Sequence, residues 1–311
     1  MLSKAIPCKA TLPYALELER THERGDAILL LTMITESYAS KPRLPKLNEL
    51  DKWAIQLYES VGDRGRAAHA QQSRGSALFQ MGQLEAAREA IAHALAASRA
   101  CGDAWNVAYC LKQLAGIERG RGDFSAGREL LAQALAGVKA LGDELRTAYV
   151  LGDMAELEFA ADDPAQALRL ATEALEIHVR GKNATAAAIG YNNIAAYRIA
   201  LGDVTGARDS AREGLRLAGQ IQDEQWAAIA LQHLALLAAL DGDSRRAAQL
   251  VGYVNALFDQ IGTQRQSTEQ WGYDKLLATL RGKLSEGEIK NLAPEGAAWS
   301  EDHAVEEALK V

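Results

Sequence analysis

A two-residue beat constrains this chain more than anything else in it. Gly82-Gln83, Gly122-Asp123, Asp162-Asp163, Gly202-Asp203 and Gly242-Asp243 stand 40 residues apart. Midway between them fall Gly62-Asp63, Gly102-Asp103, Gly142-Asp143, Lys182-Asn183, Gln222-Asp223 and Gly262-Thr263, with no drift over 200 residues. A strict period of this size marks stacked repeats rather than one globular core.

Each pair reads as a helix stop followed by a helix start. In the unit 122–161, Asp123 is placed to cap a helix running to about Leu141, its carboxylate accepting from first-turn N–H groups. Leu130, Leu131, Ala134, Leu135 and Val138 share one face of that helix. Gly142 then supplies a left-handed terminus and Asp143 the next cap, opening a second helix through Ala148, Leu151, Met154, Ala155 and Leu157. Antiparallel helices of about four turns should therefore alternate along the chain. Composition agrees with an all-α fold. The chain of 311 residues is 48% hydrophobic but only 6% aromatic, with 6 prolines.

Small residues keep phase with the beat. Ala87, Gly127, Ala167, Ala207 and Ala247 follow one set of turns, and Ala94, Ala134, Ala174 and Gly214, each before a leucine, come seven residues later. On the other helix type stand Ala115, Ala155, Ala195 and Ala235, each after Leu, Met or Ile. Helix propensity alone gives no reason for this phase locking, whereas close approach of helix backbones does.

Small residues at these places around a Gly-Asp turn resemble the tetratricopeptide repeat (TPR), with Leu111, Leu151, Tyr191 and Leu231 at its first large apolar position. The resemblance implies a right-handed α-solenoid of antiparallel helix pairs with helical caps. It divides the chain into an N-terminal helical cap and linker at 1–46, an array of about five and a half pairs at 47–262 and a C-terminal cap at 263–311. The first segment holds an apolar run, Ala27 to Tyr38, closed by the break Lys41-Pro42-Arg43-Leu44-Pro45. Arg74 occupies a place the motif fills with a large apolar residue, so the first pair should pack differently. The tail carries Glu269-Gln270-Trp271-Gly272-Tyr273, a capping-box spacing at Ser285 and Glu288, then Trp299 and Glu306-Glu307-Ala308. It resembles the closing segment of TPR regions in bacterial STAND-class ATPases and LuxR-type regulators. That resemblance implies a sensor or interaction arm whose partner is an ATPase or effector module, or alternatively a stand-alone peptide receptor or assembly scaffold. No GxxxxGK[ST] loop occurs here, since Gly181-Lys182 lacks its flanking residues.

A net charge of −7 without a long basic run argues against gripping nucleic acid. Cys8, Cys101 and Cys110 have no CxxC spacing, and the six histidines are not paired at metal-ligand spacing, so neither metal nor cofactor is expected. HExxH, GxSxG and EF-hand patterns do not occur, and the chain reads as a non-enzyme; an enzyme would have to use acids such as Asp153 and Glu156. With no signal-peptide pattern and no apolar run of membrane length, a cytoplasmic place and no membrane contact are expected.

In the TPR family the first helix of each pair lines a concave groove. By that resemblance the groove stripe is His69, Gln72 and Ser73, then Tyr109, Lys112 and Gln113, then Tyr149, Asp153 and Glu156, then Asn192 and Asn193, and finally Gln232 and His233. Tyrosines and amides with few charges suit a protein or peptide backbone, or the hydroxyls of a small ligand. The adjacent Asn192-Asn193, poor for helix propensity, is the pair most expected to bind. Trp105 and Trp226 are expected to pack between repeats.

Overall fold

The computed structural model describes residues 44–311, with side chains from Asn48 onward. The expected helical run Ala27 to Tyr38, the linker residues Lys41 to Arg43, and Cys8 lie outside the described residues. Fourteen helices occur among those described. Seven run through the first half: α1 (Leu44–Ser60), α2 (Arg64–Gln80), α3 (Leu84–Cys101), α4 (Ala104–Arg121), α5 (Phe124–Ala140), α6 (Glu144–Ala160) and α7 (Pro164–Arg180). The others are α8 (Ala184–Leu201), α9 (Val204–Ile221), α10 (Glu224–Asp241), α11 (Ser244–Ile261), α12 (Ser267–Arg281), α13 (Glu286–Ala297) and α14 (Glu301–Leu309). They form sequential antiparallel pairs in the TPR repeat fold. Leu44 and Pro45, expected as linker, instead open α1, because the first helical turn has no use for the N–H that proline lacks.

The beat does what its chemistry requires. The carboxylates of Asp63, Asp103, Asp123, Asp143, Asp163, Asp203, Asp223 and Asp243, and the amide oxygen of Asn183, each accept from backbone N–H groups of the following helix. Gln83, one methylene longer, makes no such bond. Asp162 takes the left-handed place with φ 63° and its neighbour Asp163 caps α7, so the Asp-Asp pair is a repeat turn. The phased small residues are the helix contacts: Ala87, Ala94, Ala134, Ala195, Ala207, Ala235 and Ala247 are completely buried. Ala155→Leu in α6 should overpack such a contact and cost about 1–3 kcal/mol. A melting temperature unchanged by that substitution would contradict the face assignment.

The helices gather into two compact units, one reaching to Gly142 and the other running from Asp143 to Val311. Within the first, α2 and α4 touch each other as well as their sequence neighbours; within the second, α6 touches α8 and α8 touches α10. These alternate helices form the inner layer of each unit, with α3 and α5, and α7, α9 and α11, outside them. In the first unit, Arg74 on α2 turns to Asn48 of α1, its Nε 3.2 Å from Asn48 Oδ1, beside the fully buried Asp51.

After α11 the period ends and three helices close the second unit. Arg265, ahead of α12, is clasped between the rings of Phe258 and Tyr273, 4.2 and 4.0 Å from their centroids, and donates to Gln232 and Asn255. α13 opens with the expected capping box at Ser285 and Glu288 and packs along α11. α14 rests on α10 and α11, tied by Arg246 to Glu307 and by Arg212 to the main-chain oxygens of Leu309 and Val311. No helix among the described residues is long and apolar enough to cross a membrane.

Candidate groove on the inner helices

In the first unit the structure brings the expected residues together around one they did not include. His69 Nε2 lies 2.9 Å from Asp103 Oδ2, so the carboxylate that caps α4 also fixes the imidazole of α2. The His69 ring stacks on Trp105 at 5.6 Å, Trp105 stacks on Tyr109 at 5.5 Å, and the Lys112 ammonium stands 5.6 Å from the Tyr109 ring. This row spans two neighbouring inner helices and is half-buried throughout. Trp105 thus packs between successive inner helices, as expected, and does so on the inner face. Its i, i+4 relation to Tyr109 was the signal that could have placed it there. Below the row, Gln72, expected on the open stripe, is instead buried; it donates to Gln113 at 3.0 Å and to Ser76 at 2.9 Å, and Gln113 also donates to Ser76.

In the second unit the stripe divides. Tyr149 is 42% exposed, its ring 5.0 Å from His178 and its hydroxyl accepting from Asn183 at 2.9 Å. Asn193 Nδ2 lies 3.5 Å from Glu156 Oε1, and both side chains, like that of Asp153, are half-buried on the inner helices. Asn183, read from sequence as a helix start, serves twice, capping α8 as expected and steadying Tyr149.

The other members of the stripe do not face open solvent. Asn192 is buried, and its Nδ2 donates 3.0 Å to the main-chain oxygen of Trp226. It packs on the outer helix: a Cβ at Gly214 would stand 2.6 Å from Asn192 Oδ1, which is why glycine replaces the alanine found here in other repeats. Adjacent residues on a helix point about 100° apart, so Asn192 and Asn193 cannot both look into one groove. Gln232 and His233 are also buried, covered by α12. Gln232 donates 2.7 Å to Glu269 O and accepts from Arg265 at 2.6 Å. His233 finds no hydrogen-bond partner at either ring nitrogen, and burial pushes its imidazole down to about 4, leaving it neutral. Trp226, by contrast, packs against the core as expected. No group of three or more His, Cys, Asp or Glu among the described residues is arranged to hold a metal.

A model of the tetratricopeptide repeat family matches residues 106–178. Among solved structures, BtubC (BKLC) from P. vanneervenii is 18% identical with a TM-score of 0.58, covering 70% of this chain and 91% of its own. The Rap conjugation gene regulator of plasmid pLS20, in complex with the Phr* peptide, is 13% identical with a TM-score of 0.57 over 90% of this chain and 80% of its own. A Rap protein complexed with Competence and Sporulation Factor is 16% identical with a TM-score of 0.54 over 97% and 98%. At such identities the likeness is one of fold. No curated protein matches this chain in sequence.

Proposed function

We propose that this protein is a non-catalytic TPR scaffold that holds a peptide or protein segment against its inner helices. The carrying observation is the ordered hydrogen-bonding surface there: Gln113 and Ser76 in one unit, backed by the buried Gln72, and Tyr149, Glu156 and Asn193 in the other, are positioned by bonds to each other or to a neighbour. Donors and acceptors held this way lose little conformational entropy when they pair with a peptide backbone. Two of the proteins with this fold are described in complex, one with a peptide and one with a factor.

Peptides selected from a random library on the full chain should test the reading. Asn193→Ala should weaken the peptides bound in the second unit about tenfold while leaving the fold intact, because Asn193, unlike Asn192, is not buried. The absence of any enriched peptide, or enriched peptides indifferent to Asn193→Ala, Tyr149→Ala and Gln113→Ala alike, would remove it.

The closing segment, with its capping box and final Glu-Glu-Ala helix, favours the role of sensor arm in a bacterial signal-transduction or transcriptional regulator. Occupancy would then shift the arm between conformations with different contacts to an effector module. An ATPase module encoded in frame with this segment supports the arm; a translation start at Met1 supports the stand-alone receptor.

A further inference from the structure

Helix α12 does not continue the repeat. Within each unit, the helix that follows an outer helix packs broadly along it, as α4 does on α3, α8 on α7 and α10 on α9. α12 barely meets α11. It crosses the inner face of α10 and reaches α8 and α6, the layer proposed to hold a peptide, and its part as a cover rests on that proposed groove.

The two halves of α12 are held differently. Leu276 and Leu280, in its later turns, are fully buried in the main core. The first turns bury Thr268, Glu269 and Gly272 rather than large aliphatic side chains, and meet the unit through polar and aromatic contacts. Gln232 Nε2 donates to Glu269 O, and the half-buried Trp271 meets the ring of Phe159 edge-on at 5.0 Å, with Tyr197 4.7 Å behind it. Gln266 provides no side-chain cap at the helix start. Beside Trp271 a cavity of about 460 Å³ remains open, lined by Phe159, Pro164, Ala200, Ser267 and Lys275. The cover is also imperfect, since it closes His233 away from water with neither nitrogen bonded. Burying an unsatisfied polar group is unfavourable, and lifting the helix would relieve it.

We propose that the first two turns of α12 are an intramolecular stand-in for a ligand. The inner face of the second unit is a docking surface for an amphipathic helix of a partner, which presents an aromatic side chain to Phe159 and a main-chain carbonyl to Gln232. The occupant is identified by what already sits there: a helix, an indole and a peptide oxygen. The tether gives the stand-in an effective concentration in the millimolar range, so it excludes weak helices and yields to a stronger one.

The test uses a labelled peptide with the sequence of residues 264–275 and the full chain. Trp271→Ala should bind this peptide at least tenfold more tightly than wild type, because its own indole no longer fills the Phe159 site. Adding Phe159→Ala should erase the gain. Equal binding to wild type and Trp271→Ala, or a gain that survives Phe159→Ala, overturns the proposal. Should Trp271→Ala not fold, hydrogen exchange on wild type decides: amides of 270–273, the first with main-chain acceptors, should exchange at least tenfold faster than those of 276–281, and equal protection refutes it. If library-selected peptides still depend on Asn193 while peptide 264–275 discriminates nothing, the groove stands and the stand-in alone falls.

Discussion

Gly296→Ala is expected to lift α13 off the second unit, and Gly252→Ala to do the same from the other side. A Cβ built on Gly296 would stand 1.7 Å from the main-chain oxygen of Gln249, and one on Gly252 would stand 2.0 Å from that of Ala293. Both obstacles are backbone, so no side chain can swing aside and the two helix axes must part. Helix propensity pulls the other way: alanine in place of glycine favours an isolated helix by up to about 1 kcal/mol. The measured sign therefore decides between local and tertiary control. Overpacking costs about 1–3 kcal/mol where side chains adjust, and a backbone clash belongs at or above the top of that range. Thermal unfolding of the second unit should fall by about 6–10 °C for either variant. Hydrogen exchange along α13 should rise with it. The control is Gly287→Ala in the same helix, where the added carbon meets nothing closer than Ser285 Oγ at 4.0 Å and stability should hold or rise slightly. The double variant should cost less than the two single losses added, because one separation relieves both clashes. A stabilised Gly296→Ala would mean that the helices are not packed backbone to backbone.

This contact also shows where the sequence stops being legible. The turns could be read one by one because a cap is local: an acceptor, its own first-turn N–H groups and a left-handed residue before it. That logic held even where Asp162 replaced glycine. The phased alanines were legible because each repeat buries the same positions against the same neighbours. The inner stripe was legible only where the repeats alone decide exposure, as at Tyr149 and Asn193. Gln232 and His233 occupy corresponding register positions, yet a helix from outside the period covers them, and nothing within 40 residues' symmetry announces it. Gly252 and Gly296 were invisible for the same reason: their meeting joins the array to its cap across 44 residues of sequence, from 252 to 296. Packing between repeats was legible for Trp105 and Trp226 alike, but the inner-face row was not: only Trp105 has an inner-helix histidine and an i+4 tyrosine to stack on.

Asp51→Asn is expected to stabilise the α1–α2 pair in mild alkali and leave it nearly unchanged at about pH 4 and below. Asp51 is fully buried on α1 in the small core of Leu50, Ala54, Leu57, Tyr58, Ala67 and Ala70. Neither carboxyl oxygen meets a hydrogen-bond partner in bonding geometry. Burial pushes the carboxyl up to about 7; Ser73 and Arg74 of α2 pull it back only in part. Arg74 is itself turned toward Asn48, which limits that pull. Because the folded value lies above the unfolded 3.8, the folded state binds the extra proton. The contribution is complete below about pH 4 and is lost as pH rises through 7. A shift of about three units corresponds to about 4 kcal/mol, an upper figure that water entering the site would lower. Asparagine keeps the shape and carries no charge, so it removes this loss. Melting temperatures of the two proteins should differ by several degrees at pH 8 and converge at about pH 4. The comparison isolates one group, because every other titrating residue, including the buried His233, is common to both proteins. A gap of the same size at both pH values would mean that Asp51 stays ionised in the fold, with Arg74 rather than burial governing its charge.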